Sequence, residues 1–163
     1  MNSFAPAVIA ALRERGQTVA TAESLTGGLV CASLVDVEGA SDVVRGGVVA
    51  YAADLKCSLL GIDADHIDRE GTVDPEVAEA MAEGVRKLTG ATWGVATTGV
   101  AGPGPAEGKE AGTVYVAVAG ADGLESRRLA LAGNRSDIRE QAVSECLSLL
   151  LARVEEQSGE GES

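Results

Sequence analysis

Aromatic side chains are nearly absent: Phe, Trp and Tyr make up 2% of the 163 residues, and Trp93 is the single tryptophan. A single-stranded nucleic acid would find no stacking platform here, and the core must be built from Val, Leu, Ala and Ile. Positive charge is also scarce. Lys and Arg number 13 against 25 Asp and Glu, a formal net charge of −12, so the basic groove that nucleic acid requires is missing. An anionic ligand would have to rely on a few local cations and backbone amides. The three cysteines, Cys31, Cys57 and Cys146, are odd in number and widely spaced. With no CxxC pair they suggest neither a disulfide frame nor a zinc site. No apolar run reaches membrane length, and Met1 to Arg15 is too short and too alternating for a signal peptide. These exclusions imply a cytoplasmic protein in a reducing compartment, with no membrane, nucleic-acid or metal partner.

What is present fits one domain. Hydrophobic residues reach 45%, and glycine is abundant at 21. Phe4 to Arg15 reads as an amphipathic helix stopped by Gly16. Thr18 to Ala22 is a short β-prone run, followed by a Gly-containing turn and a helix over Leu29 to Val35. Val43 to Tyr51 reads as a strand, Asp54 to Leu60 as one or two helical turns, and Asp63 to Glu70 as a polar stretch. Asp74-Pro75 opens a helix with an Asp cap and Pro at its first position; Val77, Met81, Val85 and Leu88 share one face. Trp93 to Thr98 and Thr113 to Ala119 are strands separated by a Gly/Pro loop. Asp122-Gly123 signals a hairpin turn, with Leu124 to Leu131 as the antiparallel partner. Ser136 caps a final helix, Asp137 to about Val154, and the charged, Gly/Ser-rich residues 155–163 are expected to be a disordered acidic tail. Strands alternating with helices, with a hairpin late in the chain, predict a three-layer α/β/α sandwich with a mixed, mostly parallel sheet over residues 1–154.

Three segments could carry chemistry. Glu23-Ser24-Leu25-Thr26-Gly27-Gly28 joins a strand to a helix N-terminus, where free amides favour anions; it is equally readable as an ordinary capped helix start. The loop Thr97-Thr98-Gly99-Val100-Ala101-Gly102-Pro103-Gly104 leaves the carboxyl end of a central strand, the usual ligand position in an open α/β sheet. It is neither a Walker A loop nor a dinucleotide fingerprint. The stretch from Gly39-Ala40-Ser41 through Tyr51 to Lys56 collects a hydroxyl, a phenol and an amine. With no GxSxG elbow, and His66 placed in a polar surface stretch, a serine hydrolase here would need a Ser-Lys pair; an unremarkable solvated lysine is the competing reading. Arg135 and Arg139 lie one helical turn apart and could face an anion or pair with Asp137 or Glu140. Arg45 is a further candidate cation.

Taken together, TAESLTGG (21–28), GAS followed by RGGVVAYAADLK (39–56), GTVDPEVAEAMAEG (71–84) and TTGVAGPGP…AGTVYVA (97–117) resemble the CinA C-terminal domain family over residues 5 to about 153. Active members of that family are nicotinamide mononucleotide deamidases of the PncC type. The resemblance implies a metal-free and cofactor-free Ser-Lys hydrolysis of the carboxamide, giving nicotinate mononucleotide and ammonia. It assigns the nucleophile to Ser41, the base to Lys56 and an assisting phenol to Tyr51. It assigns substrate contacts to Ser24, Thr26, Gly27 and Gly28, and to Thr98, Gly99, Ala101 and Gly102. A cation of the last helix, Arg135 or Arg139, completes the set. Arg45, from the sequence reading itself, is a further substrate-binding candidate, and Arg45 or an arginine of the last helix is the cation expected to depress the lysine pKa. It also implies a homo-oligomer, dimer or larger, and a stand-alone form of the domain.

Three positions depart from the family pattern: Leu25 where a Cys or small residue is usual, Asp74 where Ser is usual, and the short loop Gly104-Pro105-Ala106-Glu107-Gly108-Lys109-Glu110. A silent relative that binds a nucleotide or protein partner is the alternative this loop suggests. A phosphate-dependent transferase would want metal carboxylates near the Gly loops, and only Glu23 is close.

Overall fold

The strands sort their residues by size. In Val19–Glu23 (β1), Trp93–Gly99 (β3) and Thr113–Gly120 (β4), side chains alternate between the two faces of the sheet. One face carries Val19, Trp93, Val95, Val114, Val116 and Val118. The other carries mostly alanine, Ala20, Ala22, Ala96, Ala117 and Ala119, with Tyr115 as its one large residue from these strands. With Val44–Val49 (β2) and Gly123–Ala130 (β5), these strands form one five-stranded sheet in the order β2-β1-β3-β4-β5. β1 pairs in parallel with β2 and β3, and the β3–β4 and β4–β5 ladders are antiparallel. Four strands therefore run one way and β4 alone is reversed. The computed structural model describes residues 2–160, with side chains to residue 157.

The large-residue face takes the helices Ala5–Arg15 (α1), Leu29–Val35 (α2) and Arg135–Glu160 (α6), through Val8, Leu12, Val30, Leu34, Ile138 and Leu147. The alanine face takes Ala53–Leu60 (α3), Ala64–Glu70 (α4) and Pro75–Thr89 (α5), through Leu60, Ile67, Val77, Met81 and Val85. Small residues there bring α5 close to the sheet: a Cβ on Gly94 would run into the Ala82 carbonyl. The expected three-layer α/β/α architecture is what the chain adopts.

Several local expectations change. Asp63–Glu70, read only as polar, holds a helix: Asp63 accepts from the Asp65 amide at 3.0 Å. α4 docks through His66 Nε2, 2.9 Å from Asp74 Oδ2. That hydrogen bond raises the His66 pKa above the usual histidine value. Ser136 does not cap α6. The cap is Asn134, whose Oδ1 accepts from the Asp137 amide (2.9 Å) while Asp137 Oδ2 accepts from the Asn134 amide (3.0 Å). This is the reciprocal arrangement of a capping box, shifted two residues upstream. The acidic tail expected from Glu155 is instead a continuation of α6 to Glu160, and Gln17 Nε2 donates to Gln157 Oε1 at 3.3 Å. The end of that tail, 161–163, lies outside the described residues.

Candidate active site

β1 and β3 end side by side, and the chain leaving β1 makes the first wall of the site. Glu23 closes the strand with its carboxylate buried at 1% exposure. A buried charge needs several partners, and Glu23 has them: Oε1 accepts from Thr26 Oγ1 (2.6 Å) and the Val30 amide (2.8 Å), and Oε2 from the Cys31 amide (3.1 Å) and Thr21 Oγ1 (3.4 Å). The carboxylate thus caps α2 and fixes the turn 24–28. The Thr26 hydroxyl also meets Thr97 Oγ1 at 2.7 Å, and the Ser24 amide donates to the Thr97 carbonyl at 3.0 Å. The α2 amides expected to be open to an anion are therefore committed to Glu23.

Ser24 sits at the top of that turn, 8% exposed. Its hydroxyl lies 2.9 Å from Lys56 Nζ. Lys56 is 1% exposed and shares the inner face of α3 with Leu60. A helical side chain leans toward its own N-terminus, and this one reaches back to the residues that precede α3. Its amine donates to the Ala50 carbonyl (2.6 Å) and the Tyr51 carbonyl (3.2 Å). All three partners are neutral. Desolvation lowers the Lys56 pKa, and the more distant negative potential of Glu107 and Cys57 opposes that shift only in part.

A cleft of about 230 Å³ opens over the serine, walled by Ser24, Leu25, Tyr51, Arg135 and the loop from Gly99 to Ala106. Arg135 spans it: its guanidinium donates to the Gly102 carbonyl and, at 3.3 Å, to Tyr51 Oη. Arg139, one turn on, points away from the cleft, with Nε on the Leu25 carbonyl (2.9 Å) and Nη2 on the Thr26 carbonyl (3.2 Å). Of the two arginines, Arg135 faces the cleft and Arg139 braces the serine turn. Thr98 is equally committed, its hydroxyl donating to the Thr72 carbonyl at 2.8 Å.

The structure brings Lys56, Tyr51, Ser24, Gly99, Ala101, Gly102 and Arg135 together. It keeps Ser41 and Arg45 apart from them. Ser41 lies in a 3₁₀ turn, Ala40–Asp42, before β2, whereas Lys56 follows β2. Six strand residues at about 3.3 Å each separate the two by about 20 Å. Ser41 is exposed in a surface depression shared with Cys31 and Arg45, and Arg45 Nε is engaged by the Thr89 carbonyl at 2.6 Å. Arg45 therefore does not set the lysine pKa; desolvation does. Thr26, Gly27 and Gly28 form the α2 entry behind the cleft wall. Leu25, Val100 and Pro103 to Ala106 also line the cleft. Leu25 follows the buried Ser24 directly, and a Pro/Gly run signals a loop in sequence but not that the loop forms a wall.

A mixed α/β/α sheet with a buried serine–lysine pair at the carboxyl ends of its central parallel strands defines the class. The chain belongs to the CinA C-terminal domain family, whose match covers residues 1–154. It is 48% identical over 149 residues to a CinA-like protein of Frankia casuarinae, covering 91% of this chain and 34% of that protein. A putative competence-damage inducible protein of Desulforudis audaxviator is 45% identical over 148 residues, covering 90% and 36%. The chain spans about a third of the length of these curated relatives. Among solved structures, the competence/damage inducible protein CihA of Agrobacterium tumefaciens superposes with a TM-score of 0.88 at 34% identity, covering 91% of this chain and 92% of that one. A CinA-superfamily protein of Klebsiella pneumoniae reaches 0.91 at 29% identity, covering 94% and 96%.

Proposed function

We propose that this chain hydrolyses the carboxamide of nicotinamide mononucleotide, with Ser24 as nucleophile in the role first expected of Ser41, and Lys56 as base. The observation that carries this reading is the 2.9 Å approach of Lys56 Nζ to Ser24 Oγ inside a desolvated site. A neutral amine has two N–H donors and one lone pair. The Ala50 and Tyr51 carbonyls take the two donors, which leaves the lone pair for the Ser24 proton. Ser24 Oγ then attacks the amide carbon while Lys56 accepts that proton, and Lys56 returns it to the departing nitrogen to release ammonia. Water attacks the resulting ester, giving up a proton to Lys56, and Ser24 regains its hydroxyl as nicotinate mononucleotide leaves. Leu25, next to Ser24, lines the cleft, and its backbone amide is assigned here as an oxyanion donor. Arg135 is the cation for the phosphate. The substrate class rests on the family resemblance; the serine–lysine contact supports the reaction type.

The test is ammonia release from nicotinamide mononucleotide by three folded proteins. Wild type and Ser41→Ala should turn over alike, and Ser24→Ala should lose at least about a thousandfold in kcat, as removal of a nucleophile does. Full activity in Ser24→Ala overturns the assignment. Absence of turnover in the wild type favours a silent relative that binds without reacting.

A further inference from the structure

We propose that Glu107 is a positioning residue that holds the wall of the substrate cleft in its working shape. The inference rests on the active-site reading above. Glu107 follows Ala106, the last cleft-lining residue of the loop that runs from Gly99. Ala106 and Lys109 exchange both backbone hydrogen bonds, at 3.0 and 2.9 Å, closing a two-residue turn over Glu107 and Gly108. Both central residues have positive φ, 52° and 72°, the geometry of a type I′ turn, where Asn and Gly are favoured. Among the described residues Glu107 is the one non-glycine at positive φ. A residue held there costs folding energy and persists where its surroundings over-determine it.

What determines it is the carboxylate. Oε1 accepts from the Thr72 amide (2.9 Å) and Thr72 Oγ1 (3.0 Å), and Oε2 from the Val73 amide (3.0 Å). Backbone at 72–73 is in turn tied to the serine side of the site, because Thr98 Oγ1 donates to the Thr72 carbonyl. Gly71 leaves room for the contact: a Cβ there would stand 3.1 Å from Glu107 Oε2. Burial pulls the Glu107 pKa up, but the hydrogen bonds from Thr72 and Val73 outweigh it and hold it low, so the anion that these donors need is the resident form at neutral pH. Gly102 to Ala106 are thus suspended between two anchors: Arg135 on the Gly102 carbonyl at one end and Glu107 on 72–73 at the other.

The experiment compares Glu107→Ala, Glu107→Gly and Glu107→Gln in the full chain, by amide hydrogen exchange at 71–73 and 102–110 and by steady-state kinetics on nicotinamide mononucleotide. Glycine relieves the positive φ and removes the carboxylate, so it separates the two roles. The latch predicts that Ala and Gly both exchange at least about tenfold faster in those segments and raise KM about tenfold, with kcat within about threefold. Gln keeps the shape and some of the contacts and falls between. It also removes a negative charge that favours the Lys56 ammonium, so its acidic limb of kcat/KM moves to lower pH; a purely structural change leaves that limb in place. Wild-type exchange and KM in Glu107→Gly overturn the proposal. If the wild type shows no turnover, the proposed reaction is lost, and the exchange rates alone decide for or against the latch.

Discussion

The burial of Lys56 opposes stability, and the proposed mechanism gives that burial a use. A lysine taken out of water loses hydration that carbonyls replace only in part, and its depressed pKa is the measure of that loss. Because the folded pKa lies below the ordinary value of 10.5, the unfolded chain binds the extra proton. This single group therefore disfavours the fold at acidic and neutral pH, and the penalty fades as pH rises through the folded pKa toward 10.5. The catalytic sign is the same: the amine must be neutral to take the serine proton, so kcat/KM should fall as pH drops through the lowered pKa. Lys56→Arg keeps a cation that cannot usefully deprotonate and should lose at least about a thousandfold in kcat. Appreciable turnover by Lys56→Arg with an unshifted acidic limb would remove Lys56 as the base.

At the scale of elements, the starting residue of α6 decides where Arg135 stands. Asn134 is the cap, and Arg135 is the first helical residue; its reach to Gly102 and Tyr51 depends on that start. Asn134→Ala should cost about 1 kcal/mol in denaturant unfolding, the usual loss of an N-cap, and Ser136→Ala should cost nothing measurable. The reverse result would restore Ser136 as the cap. Most elements were legible because their signals are local: the glycine stops Gly16, Gly61 and Gly90 after α1, α3 and α5, the Asp-Pro start of α5, and the Asp122-Gly123 turn. The proposed nucleophile was not, because choosing between Ser24 and Ser41 depends on strand direction. Ser24 leaves the carboxyl end of β1, where ligands gather in parallel sheets, and Ser41 precedes β2 at the opposite edge. One further signal was available. Lys56 and Leu60 stand four residues apart on one helical face, so a lysine occupied a position that the pattern reserved for the core. The Glu107 contacts had no sequence signature, since they join segments 35 residues apart.

The whole molecule sets a problem for the proposed substrate. A chain of net charge −12 repels a mononucleotide phosphate at long range, and near the serine the α2 amides are already taken by Glu23. On the proposed reading, local attraction comes from Arg135, which is exposed at the cleft and bonded to a carbonyl and a phenol but, among the described residues, to no carboxylate. Exposed charge pairs are screened over about 8–10 Å at physiological salt, so the contribution of Arg135 should be large in dilute buffer and fade as salt is added. Arg135→Gln should raise KM about tenfold, about 1.4 kcal/mol, at an ionic strength of about 0.02 M. The ratio of mutant to wild-type KM should fall toward about two at about 0.5 M, with kcat changing little because the arginine touches no reacting atom. Using the ratio cancels the repulsion from the rest of the surface, which both proteins share. Arg139→Gln supplies the contrast: its guanidinium braces the Leu25 and Thr26 carbonyls, so its loss should lower kcat by disturbing Ser24, with no dependence on salt. A ratio for Arg135→Gln that stays constant across this range would mean that the phosphate does not meet Arg135, and that the ligand enters the cleft in another orientation.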